Sequence, residues 1–90
     1  MEILISQSGD TVIYADKIVS FGVQDESYLT RDGLYGTIVS NYAIYVCYGN
    51  REKAIGNFCS KEKAMDILKE MTHAIQSGTD YSLPKDKDLE

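Results

Sequence analysis

Residues 37–58 restrict the fold more than any other stretch of the chain. They read as two β-strands turned on Gly49-Asn50, the residue types that a tight two-residue loop favours. With those two as the loop, Tyr48 faces Arg51, Val46 faces Lys53, Tyr45 faces Ala54 and Ile44 faces Ile55. One face of the hairpin then presents Ile44, Val46 and Ile55, and the other Ala43, Tyr45, Cys47, Ala54 and Phe58. Both faces are apolar, whereas a half-solvated antiparallel strand alternates apolar with polar side chains. The hairpin is therefore expected at the centre of a sheet that is covered twice.

Only one helix is available as a cover. Across residues 60–77, Ala64, Leu68, Met71 and Ile75 recur at helical spacing with Ile67 beside them, and Glu62, Asp66, Lys69, Glu70 and His73 fall on the opposite side. Ser60 is placed as the N-cap, and Gly78 is placed to end the helix in the left-handed conformation. A helix apolar on one side covers one sheet face. The second cover is expected either from the opening strands, curling over into a small barrel as in pleckstrin-homology-like arrangements, or from another copy of the chain. A bare apolar face is unusual on a monomer, so homo-oligomerisation is expected.

The remaining strands are short. Residues 3–6 and 11–14 flank Gln7-Ser8-Gly9-Asp10, a small and polar turn, and predict an opening hairpin. Residues 18–23 form a third strand, entered through Ala15-Asp16-Lys17 and left through the polar Gln24-Asp25-Glu26-Ser27. Residues 28–35 hold Asp32-Gly33 between β-prone pairs and predict a small ribbon with a type I′ turn. The strand over 37–48 has a break signal at Ser40-Asn41. The sum is an α+β domain over residues 1–79, with an antiparallel meander of five to six strands packed on one C-terminal amphipathic helix. Residues 80–90, with Pro84 and alternating Lys and Asp, read as a mobile charged tail, and Leu89-Glu90 as a vector-derived remnant.

Ninety residues are expected to make one domain and leave no room for a multidomain enzyme. Fourteen acids against nine Lys and Arg give a net charge of −5, which argues against coating duplex nucleic acid. That charge is uneven: residues 1–50 carry −4, residues 51–69 carry +2, and residues 70–90 carry −3. A basic island thus sits in an acidic chain. No stretch has the length or apolarity of a membrane span or signal peptide, so a cytoplasmic location without membrane contact is expected. Cys47 and Cys59 are then expected as reduced thiols, and with no CxxC or paired His cluster they make no zinc site.

No nucleophile elbow, zinc-protease, phosphate-loop or deaminase motif occurs. His73, the one histidine, lies on the charged side of the helix, Asp25-Glu26 reads as a polar loop, and Gly33 and Gly36 read as turn residues. Neither an enzyme nor a cofactor is expected. Binding remains. Arg51 and Lys53 on the last strand, with Lys61 and Lys63 in the first helical turn, could meet a small anion at the helix N-terminus, with Tyr48 stacking on a base. Tyr48, Arg51, Lys53 and Lys63 are the candidate ligand-binding residues. Seven of the nine aromatics are tyrosine, a side chain suited to interfaces, and Tyr28 and Tyr35 on the ribbon are the candidate partner-binding anchors.

The run Ile55-Gly56-Asn57-Phe58-Cys59-Ser60-Lys61-Glu62-Lys63-Ala64, after a β-rich start opening ILISQ, resembles small accessory proteins of phages and prophages of Gram-positive bacteria. In these a strand ending in G-x-[FY]-x-[ST] precedes a helix beginning E-[KR]-A. The resemblance spans most of residues 1–77 and rests on a structural junction. It implies a stoichiometric role in the host cytoplasm, either sequestering a small nucleotide signal of antiviral immunity or blocking a host defence protein. The rival expectation is a structural or assembly module that acts only by self-association.

Overall fold

The structure, a computed structural model, describes residues 2–31 and 35–86. It is α+β: the described residues form eight strands in three sheets, one α-helix and a single 3-10 turn at Ala15–Lys17. The strands are β1 (Ile3–Ile5), β2 (Val12–Tyr14), β3 (Ile18–Asp25), β4 (Tyr28–Thr30), β5 (Thr37–Val39), β6 (Tyr42–Tyr48), β7 (Arg51–Phe58) and β8 (Tyr81–Ser82), with α1 (Lys61–Ser77) between β7 and β8. Strand order is β2-β1-β8 in the first sheet and β3-β6-β7 in the second, and β4 pairs with β5. No sheet closes into a barrel among the described residues, so the small-barrel expectation does not hold.

The opening hairpin forms as its sequence predicts, and the break at Ser40-Asn41 separates β5 from β6. The central hairpin keeps the expected pairs Tyr48 with Arg51, Val46 with Lys53 and Tyr45 with Ala54. One step further the register slips: a β-bulge leaves Ile44 opposite Gly56 rather than Ile55. Because side chains alternate along a strand, one extra residue reverses every face beyond it. Phe58 pairs with Tyr42 and turns to the same side as Ile44, where it is 3% exposed.

That reversal alters the reading of the sheet. Ile44, Val46, Ile55, Phe58, Phe21 and Val23 gather with Ala64, Ile67 and Met71 of α1 in one core. The opposite side of β3-β6-β7 carries Ser20, Gln24, Glu52, Ala54 and Asn57 exposed, with Gly22, Tyr45 and Cys47 half-buried and Ala43 buried. Phe58 has left this side and exposed polar residues line much of it, so the expectation of a sheet covered on both sides is corrected. The helix itself matches its signals. Ser60 caps it, its Oγ accepting from the Lys63 N–H at 3.2 Å, and Gly78 ends it at φ +70°.

Gln7, read from the sequence as a turn residue, joins the first two sheets. Its N–H donates to the Ile55 carbonyl at 2.8 Å, its side-chain oxygen accepts from the Asn57 N–H at 2.9 Å, and its Nε2 donates to the carbonyls of Asn57 and Pro84 at 3.0 Å. Leu4 and Ile13 thereby face the common core.

The tail expectation is corrected over residues 80–86. β8 runs parallel to β1, pairing Leu4 with Tyr81 and Ile5 with Ser82, and Leu83 is 3% exposed in the core. Asp86 is buried, and its carboxylate accepts from the Cys59 N–H at 2.7 Å and the Lys63 ammonium at 3.1 Å. Leu89-Glu90 lies outside the described residues.

Candidate functional site

The most prominent surface feature grows out of β3 and β6. Beyond Asp25 and Tyr42, the Glu26 N–H donates to the Asn41 carbonyl at 2.8 Å and the Asn41 N–H to Ser27 Oγ at 3.0 Å. These bonds carry the ladder across the break into β4 and β5, where Tyr28 meets Val39, Leu29 meets Ile38 and Thr30 meets Thr37. The result is one continuous two-stranded arm, and the molecule has a long axis of 52 Å against 27 and 21 Å. The Asp32-Gly33 turn lies outside the described residues. The return strand is Thr37–Val39 rather than the expected 34–35, with Gly36 held at φ +60° at its start.

The arm exposes large apolar side chains. Tyr28 is 55% exposed, Leu29 58%, Ile38 72% and Tyr35 93%. Leu29 and Ile38 form one cross-strand pair and share a face, while Tyr28 and Val39 are one position along and lie on the other. Both predicted anchors, Tyr28 and Tyr35, are thus on the arm. Leu29 and Ile38 were not singled out from the sequence, because placing the return strand at 34–35 left Ile38 in the following element.

The base of the arm is fixed by acids. Hydrogen bonds from the side chain and backbone of Ser27 hold the Asp25 carboxyl below the usual carboxylate range. The Tyr45 hydroxyl donates to the Glu26 carboxylate, and that bond raises the phenol above its ordinary 10.0. Asp25 and Glu26, read from sequence as a plain polar loop, therefore anchor the transition from sheet to arm.

The structure divides the predicted ligand-binding set. Tyr48 and Arg51 face each other beside the Gly49-Asn50 turn and line an open concavity of about 650 Å³ with Asp16, Lys17 and Val19. Lys17 joins them because the turn between β2 and β3 packs beside the hairpin, a contact no local signal reveals. Lys53 lies opposite Val46 on the sheet face of Arg51 but does not line that concavity; its charge helps to hold Asp10 of the opening turn below the ordinary carboxylate value after the larger effect of hydroxyls from Ser8, Ser6 and Thr11. Lys63 is at the far end of β7. Seven strand steps at about 3.3 Å separate Arg51 from Phe58, roughly 23 Å, so Lys63 does not converge with Arg51. It lines a second concavity of about 430 Å³ with Phe58, Ile67 and Pro84, and pairs there with Asp86.

His73 is exposed on α1. Among the described residues no group of three or more His, Cys, Asp or Glu is arranged to hold a metal ion, and no helix is long and apolar enough to cross a membrane. No protein-family model matches the chain, and no curated protein or solved structure is significantly similar to it.

Proposed function

We propose that the chain is a non-enzymatic binding protein that docks stoichiometrically on a partner protein through its arm. The observation that carries this reading is the exposure of Tyr28, Leu29, Tyr35 and Ile38 together on one projecting ribbon. Tyrosines are over-represented among the anchors of protein interfaces, and Leu29 and Ile38 add apolar area beside them. The arm adds little to the core, which leaves Tyr28, Leu29, Tyr35 and Ile38 open to an interface. On the resemblance to phage accessory proteins, the partner is a host defence protein. The test is affinity capture from host extract with the intact chain and with a Tyr28→Ala, Tyr35→Ala variant. A stoichiometric partner lost on double substitution, at an unchanged melting temperature, supports the reading; a partner retained by the variant removes the arm from it.

A second reading, a small anionic nucleotide, is favoured by the meeting of Tyr48, Arg51 and Lys17 in one concavity. Isothermal titration with a panel of cyclic and ADP-ribose-type nucleotides decides it, since no heat from any member eliminates that version. A self-association module without other partners predicts instead a large, concentration-dependent assembly by light scattering.

A further inference from the structure

The two edges of the sheet β3-β6-β7 differ. Along β7, Gln7 bonds to Ile55 and Asn57 and Leu83 packs on Gly56. Along the outer edge of β3, no further strand pairs among the described residues. The apolar seam beneath that bare edge is open as well. α1 lies across β3, β6 and β7, with Lys63 and Asp66 toward residues 84–86 and Glu70 and His73 toward residues 79–81. Helical spacing turns the flank of Met65, Leu68, Thr72 and Ile75 to the other side, that of β3. There Phe21, Val23, Leu68 and Ile75 pack on the core yet stay only half-buried, and Met65 is 36% exposed.

We propose that this edge and flank form the interface of a closed two-fold dimer, in which β3 pairs antiparallel with β3 of a second copy of the chain. Charge selects that occupant. β3 starts beside Lys17, Arg51 and Asp16 and ends at Asp25 and Glu26 with Lys61 near Asp25, so its two ends are opposite in sign. Antiparallel self-pairing brings the basic start of each copy to the acidic end of the other, whereas a parallel copy sets like ends together. Register follows from the side chains. The bulge at Val19 leaves Ser20–Asp25 as regular edge, with Phe21 and Val23 on the core side and Ser20, Gly22 and Gln24 on the other. A two-fold axis through Gly22 sets Phe21 opposite Val23 twice, an aromatic and β-branched pairing, and Ser20 opposite Gln24 twice. Moving the axis to Phe21 runs the pairing into the bulge, and moving it to Val23 sets the Asp25 carboxylate against Phe21. The helix flanks of both copies then close over Phe21 and Val23, and the six strands form one sheet. This goes beyond the arm reading and uses none of the arm's four anchors.

Ser20 and Gln24 are exposed and outside the core, so the register can be tested there on the full chain without disturbing the fold. Ser20→Lys with Gln24→Lys places two like-charged pairs across the axis, and Ser20→Glu with Gln24→Lys places two opposite-charged pairs. The two double variants share Gln24→Lys, whose ammonium has Glu52 as its neighbour in either chain. By sedimentation equilibrium, the unsubstituted chain is expected at twice the 10.1 kDa chain mass. The Lys–Lys variant is expected to dissociate about tenfold more readily than the Glu–Lys variant, with the difference shrinking in salt. Met65→Glu, on the exposed helix flank, is expected to weaken the dimer independently of β3. An unsubstituted chain of single mass at its highest soluble concentration overturns the proposal, as does a dimer that dissociates equally in both double variants.

Discussion

Leu83 packs so closely on Gly56 that a Cβ at position 56 would lie 2.8 Å from the Leu83 Cδ2. A glycine in mid-strand thus makes the seat for a side chain more than twenty residues later. Gly56→Ala is expected to overpack this site and cost about 1–3 kcal/mol, read as a lowered melting temperature. The clash needs the leucine. On a Leu83→Ala background the same substitution is expected to cost less, and a double-mutant cycle showing strict additivity would count against the contact.

Asp86 is the polar counterpart of Leu83 within residues 80–86. Asp86→Ala is expected to destabilise by about 1.5–3 kcal/mol, the scale of a hydrogen bond to a charged group, because the carboxylate is 2% exposed and serves the Cys59 N–H. Lys63 is 41% exposed, so its share is expected to be smaller and to shrink in salt. Urea unfolding of Asp86→Asn, which keeps an acceptor for Cys59, should therefore show a smaller loss than Asp86→Ala.

Gly36 leads into β5 of the arm. A Cβ there would come 2.7 Å from the Thr30 carbonyl oxygen, and φ at +60° already disfavours other residues. Gly36→Ala is expected to loosen the arm and speed proteolytic cleavage within it, while thermal unfolding of the core changes little. Equal protease resistance in the variant would show that the turn does not depend on this glycine.

The Tyr45 phenol keeps its proton above the ordinary 10.0 because it donates to Glu26. Since the folded value is the higher one, the bond's contribution is present below the unfolded value and is lost as pH rises through the folded one. Glu26→Gln is expected to bring the Tyr45 titration down toward 10.0, followed by the ring resonances of that tyrosine. An unshifted titration would mean that Glu26 does not hold the proton in place.

Local signals were legible where the physics is local. Ser60 and Gly78 bound the helix as their capping chemistry requires, and Gly49-Asn50 turns β6 into β7 in the expected register as far as Tyr45 and Ala54. What escaped depends on distant partners. The bulge between Ile44 and Tyr45 has no sequence mark of its own, yet it sends Phe58 inward. Residues 80–86 looked too polar to pack, because Leu83 and Asp86 gain value only from Gly56, Cys59 and Lys63. Of the candidate binding residues, Tyr28 and Tyr35 share the arm and Tyr48 and Arg51 share a concavity. Lys63 failed to join Arg51 because a strand's length separates residues that look adjacent in a charge count.

The parallel pairing of β1 with β8 also bears on the order of folding. The Ile3 N–H and the Asp80 carboxylate that it meets are 77 residues apart in sequence, whereas each hairpin closes a short loop. Closing the longer loop loses more chain entropy, and nothing recovers that loss until β1, β7 and the helix are already in place to receive residues 80–86. Those residues are therefore expected to dock after the hairpins and the helix have formed, and to be the first to detach when the fold is reversed.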